Sequence, residues 1–212
     1  MIIDAYKKSP DWILKLISEN ARGLSIEEIN RDPNVNVRVR SYYSETEKKI
    51  FIDSNKDSQE YLLTFRHELG HFIDDSLGRI SMTENFIYSI DADKGQYERG
   101  MEYGMDNFQR LIHEMSENNE ILSNRYLSDI LSAVFINDTS IREVYYKSFL
   151  PFYKHDTEYW AEIEGPRGAV QKEVFADMFA IYSENNRNII EFVERNFPNM
   201  ALRFKKEMVG NG

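Results

Sequence analysis

The stretch Arg66-His67-Glu68-Leu69-Gly70-His71-Phe72-Ile73-Asp74-Asp75 decides how the rest of the chain is read. Asp57 or Ser58 caps a helix running from about Gln59 to Ser76, and Gly78 stops it. Leu62, Phe65, Leu69 and Phe72 make one apolar face of that helix, and His67, His71 and Asp74 occupy the other. Two His at i and i+4 lie about 40° apart around a helix axis, so both imidazoles can reach one ion. Glu68 follows His67 by about 100°. Its carboxylate can reach a water on such an ion and serve as general base.

Upstream, Ser9-Pro10-Asp11 opens a helix that continues to about Asn20 and ends at Gly23. Ser25–Asn30 reads as a short second helix, with Glu28 completing a capping box. Val35 to Arg40 alternates strictly and predicts a strand. Tyr42-Tyr43 and Lys49 to Ile52 flank polar Ser44–Lys48, which predicts a hairpin or a small antiparallel sheet. Lys49–Asp53 reads either as a sheet edge that an extended peptide could join or as a core strand. Downstream, Thr83–Glu164 is mostly helical, with breaks near Gly95–Gly104, Asn137–Thr139 and Pro151. A turn at Gly165–Gly168 precedes helices starting near Ala169 and Asn188. The class expected is α+β: one domain over 1–212, a small N-terminal antiparallel sheet and a mostly helical remainder.

Composition narrows the chemistry. The 212 residues contain no cysteine, which excludes thiolate metal sites, disulfides and cysteine nucleophiles together. A formal charge of −10 disfavours a nucleic-acid partner. The longest apolar run is Met178 to Tyr182, too short for a membrane span. The start lacks the apolar core of a secretory signal, so the expected location is cytoplasmic, or exported without a recognisable signal peptide.

A catalytic zinc takes three protein ligands and keeps one position open. With His67 and His71 as two ligands, the third must be His, Glu or Asp. In a Glu-x-x-x-Asp pair the Glu could bind metal while the Asp, one turn later, orients a ligand His. Two such pairs occur, Glu102/Asp106 and Glu173/Asp177. Glu102 lies between Gly100 and Gly104, which weakens a helix there. Glu173 lies in a strong helical pattern, with Phe175, Met178 and Tyr182 on its apolar face. Ala176 and Ala180, near the acid side, would let another helix approach. Glu173 is therefore favoured, with Glu102, His113 and His155 as alternatives. Glu114, Glu117 and Glu120 read as a solvated helix face.

RHELGHFIDD at 66–75 together with KEVFADMFAIY at 172–182 resembles the zincin peptidases of the lethal-factor type. The resemblance implies a zincin-like metallopeptidase fold. It also implies zinc ligation by His67, His71 and Glu173, with Glu68 as general base and Asp177 behind the ligands. Asp74 or Asp75 would match the acid after the second His. The segment Tyr153 to Trp160 is similar to one in zincin-like domains of phage head-morphogenesis proteins. The gap between His71 and Glu173 exceeds that of the compact toxin enzymes, so 83–149 reads as a helical insertion. These enzymes place a Tyr shortly before the ligand Glu. Gly165–Gly168 occupies that stretch here, and Tyr159 is the best substitute as oxyanion donor, with His155 or Tyr153 behind it. The function implied is a zinc-dependent endopeptidase acting on a peptide or protein through metal-activated water. The alternative is a non-catalytic zincin-fold module of a toxin or phage protein. Intact Glu68 favours the enzyme.

Overall fold

The computed structural model describes residues 6–29, 41–97, 104–135 and 169–210. The expected strand at Val35 to Arg40 lies outside these residues. The first elements are helix α1 (Asp11–Asn20) and strands β1 (Ser25–Ile29), β2 (Tyr42–Ser44) and β3 (Lys49–Asp53). Helix α2 (Ser58–Ser76) follows, then a 3-10 turn (Ile80–Met82) and helices α3 (Glu84–Gly95), α4 (Gly104–Ser116), α5 (Asn119–Leu122) and α6 (Arg125–Phe135). Helices α7 (Ala169–Glu184), α8 (Arg187–Asn196) and α9 (Pro198–Gly210) complete the described chain. The class is α+β, mostly helical with a small three-stranded sheet.

The sheet is mixed rather than antiparallel. Its order is β1-β3-β2, with β1 parallel and β2 antiparallel to β3. Ser25–Ile29 is a strand, not the short helix its capping-box pattern suggests. A helix of that length closes too few hydrogen bonds to offset its nucleation. Register with β3 supplies backbone partners instead, with Ile26 opposite Ile50. The adjoining Glu27 carboxylate pairs with Lys49 at 2.8 Å. Lys49–Asp53 is the central strand, so the sheet edge facing away from β1 belongs to β2.

Helix α2 begins where the sequence places it. The Asp57 carboxylate accepts hydrogen bonds from the Gln59 and Glu60 amides, and Gly78 turns the chain away at φ 81°. Its apolar face, with Phe65, Leu69, Phe72 and Ile73, is buried. Helix α7 is buried almost throughout, from Val174 to Ser183. It packs against α2 on one side and α6 on another, while α3 packs against α9. Phe86 of α3 meets Phe175 of α7, and Phe175 meets Phe204 of α9. Helices α3 to α6, read from the sequence as part of an inserted unit, thus share one continuous apolar cluster with α2, α7 and α9. Glu114 and Glu120, read as solvated, tie helices together: Glu114 pairs with Arg195, and Glu120 accepts from Asn186 and Asn188. Among the described residues no helix is long and apolar enough to cross a membrane.

Candidate metal centre

Helices α2 and α7 can lie close together because Gly70 faces Ala176. A β-carbon on Gly70 would stand 2.7 Å from the Ala176 α-carbon and 2.8 Å from its carbonyl oxygen. Nothing larger than hydrogen fits there. The acid-bearing side of α7 consequently meets the His-bearing side of α2.

Three side chains converge at this contact. His67 Nε2 lies 3.1 Å from Glu173 Oε2 and 3.1 Å from His71 Nε2, and His71 Nε2 lies 3.5 Å from Glu173 Oε1. Their side chains are 16–19% exposed, so each is mostly buried but keeps some access to solvent. Tetrahedral zinc with bonds of about 2.0–2.1 Å holds its ligand atoms about 3.3–3.4 Å apart. The observed separations bracket that spacing, and the donor set of two imidazoles and one carboxylate suits a borderline divalent ion. The residues fit zinc.

The electrostatics make the two imidazoles unlike. Burial disfavours charge on His67, but Asp177 and Glu173 outweigh it and hold the imidazole well above its usual pKa. Burial takes His71 down to about 4, helped by repulsion from His67. With the two Nε2 atoms in contact, His71 is the neutral partner. Behind His67, Asp177 Oδ1 lies 2.7 Å from Nδ1, which fixes the ring so that Nε2 points toward His71 and Glu173. Asp177 is itself pushed up to about 6 by burial, against the pull of His67. Its Oδ2 has no hydrogen-bond partner among the described residues. Asp129, buried on α6, is strongly disfavoured as a carboxylate by its own burial and then by Asp177.

Glu68 is 6% exposed, and burial pushes its carboxyl up to about 7. His67 and a hydrogen bond from the Tyr43 backbone pull it back, while Glu173 adds to the rise. The edge strand β2 therefore touches the candidate base directly. Tyr43 also packs edge-on against Phe72, and its hydroxyl donates to Asp75 at 2.7 Å. On the other side of β2, Glu45 pairs with Arg79 and with Lys172, the neighbour of Glu173. The hairpin is thus tied to both helices of the site.

The remaining sequence candidates fall elsewhere. Asp74 lies on the His face by helix geometry but is 2% exposed and already accepts from the Ser81 amide and hydroxyl. The turn after α2 folds back over it, which periodicity along the helix does not reveal. His113 and Asp106 are exposed on α4. Glu102, Tyr153, His155 and Tyr159 lie outside the described residues. The sequence reading missed three contributors: Gly70 as the contact point, Asp129, and Lys56, whose ammonium donates to Thr64 Oγ1 at 2.8 Å. Only Gly70 carries a local signal, a glycine inside an otherwise strong helix. Comparison of this chain with protein-family models, with curated proteins and with solved structures found no match.

Proposed function

We propose that the chain is a zinc-dependent endopeptidase with a zincin-like fold. The observation that carries this reading is the convergence of His67, His71 and Glu173 at spacings that suit one tetrahedral ion. Glu68 stands one residue from the first ligand and is shielded from bulk water. When bound, zinc would acidify a water and polarise a carbonyl.

The chain's own residues divide the remaining tasks. His67, His71 and Glu173 hold the ion, and Asp177 fixes the His67 ring from behind. Glu68 accepts a proton and passes it to the departing amine. Its burial raises its proton affinity toward neutrality, the range in which a carboxylate can take and return a proton at physiological pH. The Tyr43 backbone hydrogen bond orients that carboxylate. Substrate in this reading is a peptide or protein.

The test is cleavage of a diverse peptide library by zinc-loaded wild type, by Glu68→Gln and by chelated protein. Loss of a positioned general base lowers turnover by about 10²–10⁴-fold. We expect Glu68→Gln and the chelated protein to be silent where wild type cuts. Equal cleavage by Glu68→Gln would overturn the mechanism, and a zinc-loaded wild type that cuts nothing would overturn the peptidase reading.

A further inference from the structure

One cation near the centre, Lys56, acts on Glu68 by its charge but has no contact assigned to it in the scheme above. Lys56 lies in the short connection between β3 and α2. That connection is held by hydrogen bonds at both ends: Asp53 Oδ1 accepts from the Asn55 amide and side chain, and Asp57 caps α2. The Lys56 side chain folds onto α2 and donates to Thr64 Oγ1 at 2.8 Å. An ammonium has three donors, so two remain after this bond. Among the described residues Lys56 forms no ion pair with a carboxylate. The cation is half-buried; desolvation and then repulsion from Arg125 lower its pKa, against attraction from Glu60, Asp53 and Glu68, none of which closes an ion pair with it.

Its position relative to the centre follows from helix geometry. Thr64, His67 and His71 stand at i, i+3 and i+7, within about 60° of one another around α2, and Glu68 is about 40° to the other side of Thr64. The step from Thr64 to His67 rises about 4.5 Å along the axis. The ammonium therefore sits about one turn before the His pair, close enough to Glu68 for each charge to act on the other. An extended peptide advances about 3.3 Å per residue, so such a cation faces a group one or two residues from the amide held at the centre.

We propose that Lys56, seated on Thr64, is a subsite for a carboxylate of the peptide substrate, one or two residues from the scissile bond. This rests on the peptidase reading and names its substrate class as acidic peptides. The carboxylate comes from a Glu or Asp side chain or from the end of the substrate chain. The protein's overall charge of −10 acts in the opposite sense and favours basic peptides at long range. A preference for acid must therefore be local, and Lys56 is positioned to supply it.

The test is equilibrium binding of fluorescent pentapeptides to zinc-loaded Glu68→Gln protein, in which the peptides stay intact. Four blocked or unblocked versions differ only in one group: central Glu, central Gln, central Lys, or central Gln with a free C-terminal carboxylate. We expect a carboxylate-bearing peptide to bind about 2- to 5-fold tighter than the neutral one, the range for a partly exposed charge pair. The arm that shows the gain identifies the source of the carboxylate. Adding Lys56→Arg should keep the gain, Lys56→Gln should abolish it, and Lys56→Glu should turn the preference toward the Lys peptide. An equal gain with Lys56→Gln, no gain in either carboxylate arm, or no binding of either carboxylate peptide would overturn the subsite. Zinc content measured on the same samples separates the two readings. A carboxylate preference in protein that holds no zinc sinks the metallopeptidase and leaves the subsite. Full zinc and library cleavage by wild type without any such preference sinks the subsite alone.

Discussion

Gly70 sits directly against the Ala176 backbone between the two helices of the centre, with room for a hydrogen but not for a methyl group. We expect Gly70→Ala to force α2 and α7 apart and destabilise the fold by about 1–3 kcal/mol, as overpacking does. Because the same spacing sets the His–Glu distances, zinc affinity should fall with it. Urea unfolding and a competitive zinc titration on the one variant check both effects.

His67→Ala and Glu173→Ala should each lose tightly held zinc, whereas Glu68→Gln should keep one equivalent. Elemental analysis after desalting reads this directly. A full equivalent in Glu173→Ala would remove Glu173 from the ligand set.

Asp177→Asn leaves the packing of α7 nearly unchanged but removes the charge behind His67. Partners of this kind typically contribute 10–100-fold in metal affinity. We expect a loss of about that size in a chelator competition, with the thermal midpoint of the metal-free protein little changed.

Asp75 should give the fold a pH dependence of known sign. Desolvation works to raise its pKa, but hydrogen bonds from Lys48 and Tyr43, with the Lys48 and Arg79 charges, hold it below the usual value. A depressed folded pKa contributes stability that is present above the unfolded value of about 3.9 and fades as pH falls through the folded one. Asp75→Asn should therefore be less stable than wild type near neutrality, by about 1 kcal/mol. The gap should close in strong acid. Urea unfolding across a pH series checks it.

Asp93 of α3 caps α9 from outside. It accepts from the Asn199 amide at 3.1 Å and the Met200 amide at 2.7 Å, the first-turn donors that α9 cannot satisfy itself. Asp93→Ala would leave the buried Met200 amide unpaired and remove the Asn199 cap, and we expect a loss of about 1–3 kcal/mol. Asp93→Asn should recover part of it. Thermal unfolding of the pair measures the difference.

How much of this was legible depended on whether a signal was local. The His67–His71 pair and the Glu173/Asp177 pair are each written within one helical turn, and the need for a third ligand joined them. The caps of α2 were equally local. Ser25–Ile29 was misread because its strand state comes from β3, which lies more than twenty residues later. The burial of Asp74 was not legible because its partner, Ser81, arrives only when the chain folds back. Lys56 and Asp93 carry no pattern at all. Their meaning comes from Thr64 on the following helix and from Asn199 and Met200 far along the chain.

The bond between His67 and Asp177 spans 110 positions, and that between Asp93 and Met200 spans 107. Both fasten the middle of the chain to its last helices. During synthesis at about 5–20 residues per second, α2 would wait roughly 5 to 20 s for α7 to be made. Over that interval Phe86 has no Phe175 to meet, and the Gly70 face of α2 has no α7 to pack against. The nascent protein is therefore most vulnerable to aggregation and to proteases before α7 emerges, and folding is expected to complete late, in one long-range step.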